Sequence, residues 1–369
     1  MKIPIISTSS MKFGDLWDEG INDLIREAGQ KALDDCGLKP EQIDALYVAN
    51  AFSSEISGQA LLSSVAYEEL KIKNSECISQ GDASGAIAII KAANSIKSGQ
   101  NKIVMVLGVE KMSDLKSNEI LAITSKLLDT EESFIGATIH SQFAIITKKY
   151  LHDFKLNSDE LCFVAAKNHK NGISNQYSQF KSELSQEKIK SSQVISDPIR
   201  MFECASYCDG ACAIIMCNEK IAEKFHGKLL GYFVAGVFSS DSLPLSNRKQ
   251  IYEFESTVSA AKEAFNDAKI IQGQIDLMEL HDFSPISEII AVEDLGFAKK
   301  GKGLEFIKNN IKKINPSGGL KCCGHPLGAT GVRQAIDIIL RLKTNKLNYG
   351  LTQTLGGIGS VSAINIFSV

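Results

Sequence analysis

No apolar run in this chain approaches the length needed to span a bilayer, and no basic stretch dominates as it would in a nucleic-acid binder. The opening, Met1-Lys-Ile-Pro-Ile-Ile6, turns polar at Ser7 and lacks the apolar core of a signal peptide. Paired cysteines are not evident either. The nine cysteines are an odd number, several in apolar contexts, which suits reduced thiols in a cytoplasmic protein better than a disulfide framework. What is left is ordinary globular composition: 369 residues, 44% hydrophobic and 22% charged, with a formal net charge of −3. That length is enough for two domains.

The apolar periodicity alternates between helical and strand-like segments. Ile21, Leu24, Ile25, Ala28, Ala32 and Leu33 share one face of a helix over 21–36, stopped by Gly37 and Pro40. Asp44–Phe52 and Lys102–Glu110 read as buried strands, with an apolar helix opening on small residues at Gly81-Asp82-Ala83-Ser84-Gly85 between them. Residues 113–200 are more polar and are expected to form a cap insertion, helical over Ser141–Tyr150 and Ser158–His169, with a loop around Asn171–Ser182. Strand-like runs return at Gly210–Asn218 and Lys228–Ser239.

The second half repeats the first. Gln42-Ile43-Asp44 matches Gln274-Ile275-Asp276, Ala83-Ser84-Gly85 matches Ala329-Thr330-Gly331, and Leu107-Gly108 matches Leu355-Gly356. Ordered matches of this kind predict a duplicated α/β architecture, divided near 1–225 and 226–369, in which the two small-residue helix starts face each other across a pseudo-twofold axis.

The densest stretch is Asn315-Pro-Ser-Gly-Gly-Leu-Lys-Cys-Cys-Gly-His-Pro-Leu-Gly-Ala-Thr-Gly331. It sets His325 beside glycines whose backbone can approach a ligand closely, ahead of a helix expected to begin at Ala329 and to present free N–H groups there. A histidine beside such a site can stabilise an oxyanion. Asn-Pro-Ser-Gly-Gly followed by Gly-His-Pro-Leu-Gly-Ala-Thr-Gly resembles the C-terminal signature of thiolases, nearest to the archaeal and sterol-carrier-protein type. The resemblance implies the thiolase fold of five αβαβα layers, with the two small-residue helices buried at the centre. It also implies Claisen chemistry on coenzyme A thioesters, with the acyl-CoA as substrate and no covalently bound cofactor or metal. Homodimers in the cytoplasm, and assembly with a small zinc-ribbon and OB-fold bridging protein, are further implications of the same resemblance.

The resemblance also places the reacting groups. The family's acyl-carrying cysteine opens the first buried helix in a Cys-Ala-Ser-Gly motif; here the matching stretch is Asp82-Ala83-Ser84-Gly85. A carboxylate is a poor nucleophile toward a thioester, and an aspartate there equally suits a helix cap. His281, in Glu279-Leu-His-Asp-Phe-Ser284, resembles the histidine that positions the thioester oxygen, although Phe283 stands where a cysteine is often found. His325 carries over as the group that polarises the nucleophile or stabilises an enolate. Gly356, Gly357 and Gly359 resemble the last glycine loop, with Gln353 in the place of the cysteine that precedes it in biosynthetic thiolases. Cys323 beside His325 is a candidate residual thiol. Cys204-Ala-Ser206 mimics the nucleophile motif, but Asp209-Gly-Ala211 follows it as a strand entry, so Cys204, Cys208 and Cys212 read as core thiols. Three readings follow: an acyl-CoA enzyme without an acyl-cysteine (retro-aldolase, decarboxylase or direct acyl transferase), a non-catalytic acyl-CoA-binding subunit, and an acyltransferase using Cys323.

Overall fold

The computed structural model describes every residue except His226. Among the described residues eleven strands run in chain order: β1 Ile3–Ser10, β2 Ala45–Ala49, β3 Ser75–Ile78, β4 Ile103–Glu110, β5 Val194–Ser196, β6 Ile199–Arg200, β7 Gly210–Cys217, β8 Gly231–Ser240, β9 Leu277–Glu279, β10 Tyr349–Gly356 and β11 Val361–Ser368. Nine of them join in the order β3-β2-β4-β7-β1-β8-β11-β10-β9, and β5 pairs with β6 apart from that sheet.

Pairing directions carry the duplication. From the β1–β8 seam outward, one arm runs β1-β7-β4-β2 and the other β8-β11-β10-β9, each with two antiparallel pairings followed by a parallel one. β3 is an addition at one edge. The repeated aspartates do the same work in both arms. Asp44 Oδ2 accepts the N–H groups of Lys102 and Ile103 at 2.7 and 2.9 Å, just ahead of β4. Asp276 Oδ2 accepts those of Asn348 and Tyr349 at 2.8 and 3.1 Å, just ahead of β10.

Helices cover both faces of this sheet. On β2, Leu46 and Val48 face a cluster with the helix Ile21–Cys36, while Ala45, Tyr47 and Ala49 face a cluster with the helices Ser84–Lys97 and Leu327–Asn345. The strands are therefore apolar on both faces, as the continuous hydrophobic runs require. Leu327–Asn345 touches β4 and β7 and also β9, β10 and β11, so it lies between the two arms; Ser84–Lys97 packs beside it. Glu255–Ala268 covers β8 and β11 on the outside. Reading outward from the centre gives helix, sheet and helix on either side, the five-layer arrangement expected. Among the described residues no helix is long and apolar enough to cross a membrane.

Small residues set the central contact. A Cβ at Gly331 would stand 2.3 Å from the Ala86 nitrogen, and one at Gly85 would stand 2.7 Å from the Gly328 oxygen. Both clashes are with backbone, so the two helices touch main chain to main chain and no side chain can yield. Ser84–Lys97 is buried nearly all round, with only Lys91, Asn94 and Lys97 turned outward, as befits a helix inside a layered core.

Most of the cap segment is helical, with Ile139–Phe154 and Cys162–Gly172 where helices were expected and the Ser158–Leu161 turn as a 3-10 lead-in. Two expectations at the C-terminal signature need correction. The second central helix begins at Leu327 rather than Ala329, and the supposed loop contains a one-turn helix, Gly319–Cys323. Asp282 builds that turn, accepting the N–H groups of Leu320 and Lys321 at 2.6 and 3.2 Å. Because the helix contact is with backbone, Gly331→Ala is expected to destabilise the fold by roughly 3 kcal/mol or more, the upper end for overpacking. Guanidinium denaturation measures it; a loss below about 1 kcal/mol would show that the helices separate easily.

Candidate active site

Asp82 lies in the turn that carries the chain from β3 into the first central helix. Gly81 makes this turn with φ +56°, and a Cβ there would meet Leu127 at 2.7 Å. Of the two roles open to Asp82, the helix cap does not occur. No side chain caps this helix; the Ser84 hydroxyl donates to the Gly81 carbonyl and accepts the Gln80 N–H at 2.8 Å. The Ala83 and Ser84 N–H groups go to Gln80 and Gly81 carbonyls. The Asp82 carboxylate turns inward, 5% exposed as a residue, and its Oδ1 has no partner.

Two imidazoles stand opposite it. Asp82 Oδ2 lies 3.5 Å from His325 Nε2 and 3.8 Å from His281 Nε2. The two rings meet edge to face, 5.2 Å apart at 87°. His325 is held by its Nδ1 at 2.8 Å from Thr330 Oγ1 and by its N–H donating to the Ser206 carbonyl at 2.8 Å. Its ring stacks on Tyr207 at 5.6 Å. His281 is placed through its backbone, whose N–H donates to Gln353 Oε1 at 3.0 Å. Burial, then His325 and Arg333, push its pKa well below the usual imidazole value, so it is neutral near pH 7.

The Asn-Pro-Ser-Gly-Gly signature is a scaffold for these histidines. Asn315 Oδ1 accepts the Leu280 N–H at 2.7 Å, and Ser317 gives both its N–H and its hydroxyl to Glu279 at 2.9 and 2.6 Å. The loop that precedes His325 is thereby fixed to the segment that ends in His281. Gly319, at φ +62°, packs so tightly on the Asp282 carboxylate that a Cβ would stand 2.2 Å from it.

The anion-binding helix start proposed for the second central helix is already occupied. The Gly328 N–H donates to Glu110 Oε2 at 2.9 Å, and the Ala329 N–H to the Pro326 carbonyl. Glu110 also accepts the N–H groups of Ala51 and Phe52 at 2.8 and 3.1 Å, and burial pushes its carboxyl up to about 7 against the pull of those donors. Sequence reasoning missed Glu110 because it closes an apolar strand with no motif around it. It missed Tyr207 because the stacking partner is distant in the chain.

Cys323 is not brought to the cluster despite lying two residues from His325. Its thiol sits among Asn175, Ser178 and Ser317 at 3.4 Å and Arg333 at 3.7 Å, and burial pushes its pKa up to about 12. Cys322 faces the Phe180 carbonyl at 3.2 Å. Cys204, Cys208 and Cys212 are buried as expected. The glycine loop reaches the site: a Cβ at Gly356 would stand 3.2 Å from the Gln80 oxygen, and Gly357 and Gly359 turn the chain at φ +59° and +74°.

A duplicated five-layer α/β fold with a carboxylate and two imidazoles gathered at two central helix starts defines the class. Residues 3–220 match the model of the thiolase N-terminal domain and residues 238–369 that of the thiolase C-terminal domain-like family, so the chain belongs to the thiolase family. It is 34% identical to the acetyl-CoA acetyltransferase of Methanothermobacter thermautotrophicus over 99% of both chains. It is 28% identical to human sterol carrier protein 2 over 87% of this chain and 62% of that one. The Ltp2-ChsH2(DUF35) aldolase shares the fold with a TM-score of 0.81 at 17% identity, covering 99% of this chain and 97% of that chain.

Glu110 ties the first half to the second helix start, so Glu110→Ala is expected to strand three buried N–H groups at roughly 1 kcal/mol or more each. Thermal unfolding should report a total loss of about 3 kcal/mol or more. A change under about 1 kcal/mol would mean that water replaces the carboxylate without cost.

Proposed function

We propose that this chain acts on acyl-CoA thioesters by enolate chemistry without an acyl-enzyme, with Asp82 in the place of the family's nucleophile. The observation that carries this reading is the uncapped, buried Asp82 carboxylate 3.5 and 3.8 Å from two imidazole nitrogens. A carboxylate can serve as a general base and attacks a thioester poorly. A 3-hydroxyacyl-CoA is the substrate class that uses every group. Asp82 takes the hydroxyl proton, the Cα–Cβ bond breaks, and its electron pair moves onto the thioester oxygen. Imidazole N–H groups of His281 and His325 hold that oxygen, helped by the Gly356–Gly359 loop. The enolate then takes a proton back at Cα, releasing a carbonyl compound and a shorter acyl-CoA. The reverse direction is an aldol addition.

Cys323 has no part in this scheme: its raised pKa and its neighbours Asn175, Ser178 and Ser317 suit a packing thiol. The fold accommodates an aldolase in the Ltp2-ChsH2(DUF35) assembly, and a bridging partner of zinc-ribbon and OB-fold type is proposed here too. A cytoplasmic homodimer is proposed from the free state of all nine cysteines and from β3, which ends the sheet with Glu76 and Cys77 exposed. Light scattering at micromolar concentration should return about twice the 40.1 kDa chain mass; a clean monomer would remove the dimer from the account.

The chemical test uses a panel of 3-hydroxyacyl-CoA thioesters, with chromatography for the shortened thioester. Asp82→Asn is expected to lower turnover by about 10²- to 10⁴-fold, the contribution of a general base, and intact-mass spectra of the native chain should carry no acyl adduct. Ordinary thiolysis of acetoacetyl-CoA with an acylated residue would overturn the reading. Asp82→Cys places a thiol beside two histidines and should alkylate rapidly with iodoacetamide. A silent panel together with an inert Asp82→Cys would favour an acyl-CoA-binding subunit over any enzyme.

A further inference from the structure

We propose that Asp82, His281 and His325 form a binding site for one divalent transition-metal cation of the zinc and ferrous-iron class. The proposal goes beyond the reaction above and depends only on the geometry of the three side chains.

Asp82 Oδ2, His281 and His325 each offer one ligating atom, and these atoms lie within 4.8 Å of one another. The carboxylate oxygen is 3.5 Å from one Nε2 and 3.8 Å from the other. Those separations are long for hydrogen bonds but suit two ligands of a shared ion. With metal–ligand bonds of about 2.1 Å, those two separations subtend about 110° and about 130° at a metal, within reach of a site with three protein ligands. Two imidazoles and one carboxylate make a donor set of borderline softness, matched to zinc or ferrous iron rather than to calcium or magnesium.

A second observation points to a missing ligand. His325 Nε2, the nitrogen that faces Asp82, and Asp82 Oδ1 are both buried without a partner, and native structures seldom leave such atoms unsatisfied unless an ion or water completes them. Two other buried aspartates are supplied with several donors. Asp209 accepts from Lys111, from Ser113 and from the Met112 N–H; Asp282 accepts two backbone N–H groups and Asn168. Asp82 receives no backbone N–H, no lysine and no arginine; its ion-pair neighbours among the described residues are the two histidines.

The surroundings also orient the ligands. The Thr330 hydroxyl 2.8 Å from His325 Nδ1 can accept its N–H and so leave the Nε2 lone pair aimed at the ion. Gln353 fixes the His281 backbone. The three ligands come from three separate segments, one from the first half and two from the second, locked by main-chain contact between the helices at Gly85 and Gly331. The site therefore exists only in the folded chain, and an ion bound there must stabilise the fold. A ligating imidazole nitrogen carries no proton, so an ion bound there would take the place of the His281 and His325 N–H groups at the substrate oxygen, as a Lewis acid.

The test uses the full chain after treatment with EDTA, with Co²⁺ as a visible probe and Zn²⁺ as competitor. One equivalent of Co²⁺ per chain is expected, with ligand-field bands in the visible and no thiolate charge-transfer band, displaced by Zn²⁺; Zn²⁺ alone should raise the unfolding temperature. Asp82→Asn, close in shape to the native residue, and His325→Gln should each weaken binding by at least about 100-fold, and Thr330→Val by about 10- to 100-fold, as for loss of an orienting partner. Asp82→Cys should keep the ion and add a thiolate-to-cobalt band. A Cys77→Ser background removes the exposed thiol as a competitor. Absence of bands, or bands and unfolding shifts unchanged in Asp82→Asn and His325→Gln, would overturn the proposal. Because Co²⁺ binding is read without substrate, failure of the metal site and failure of the enolate chemistry give separate signals.

Discussion

The structure depends on main-chain contact between two helices at the centre of the molecule. Gly85 and Gly331 leave no room for a Cβ on either side, and that closeness determines where the helix starts lie. Asp82 precedes one start and His325 precedes the other, so packing brings them to 3.5 Å across the halves of the chain. His281 joins them from the end of β9, and Glu279, Asn315 and Ser317 fasten that end to the loop carrying His325. Apolar layers on both faces of the sheet hold this centre rigid, as the exclusion of water from a packed interior requires.

Electrostatics gives the site its chemical character. Most buried carboxylates here are spent on structure: Glu110 holds the second helix start, Asp282 caps a single turn, and Glu279 holds the signature loop. Asp82 is free of such duties. A carboxylate placed among imidazoles and without backbone, lysine or arginine donors faces the space where a substrate proton or a cation would lie. Either use requires the inward orientation, and a helix cap would have prevented both.

Much of the fold was legible in the sequence because its duplication is written in residues that do the same physical work twice. Asp44 and Asp276 each tie down the start of a neighbouring strand, and Gly108 and Gly356 each lie beneath a helix start. The meeting of Asp82, His281 and His325 was legible only through resemblance to a family, since nothing local signals contacts across about 200 residues of chain. Three details were not legible. The Asp82 cap failed because Ser84 and the turn carbonyls satisfy the first N–H groups. The open helix start failed because Glu110 arrives from a strand distant in sequence. The thiol beside His325 failed because the one-turn helix Gly319–Cys323 directs Cys323 toward Arg333.

The central claim is that Asp82 faces the reacting atoms as a base and not as a nucleophile or a cap. A crystal structure with a 3-hydroxyacyl-CoA analogue bound tests it most directly. The account predicts the thioester oxygen within about 3 Å of an imidazole nitrogen of His281 or His325 and the 3-hydroxyl within hydrogen-bond reach of Asp82. A carboxylate turned back onto the helix N–H groups, or an acyl chain held away from all three side chains, would contradict it.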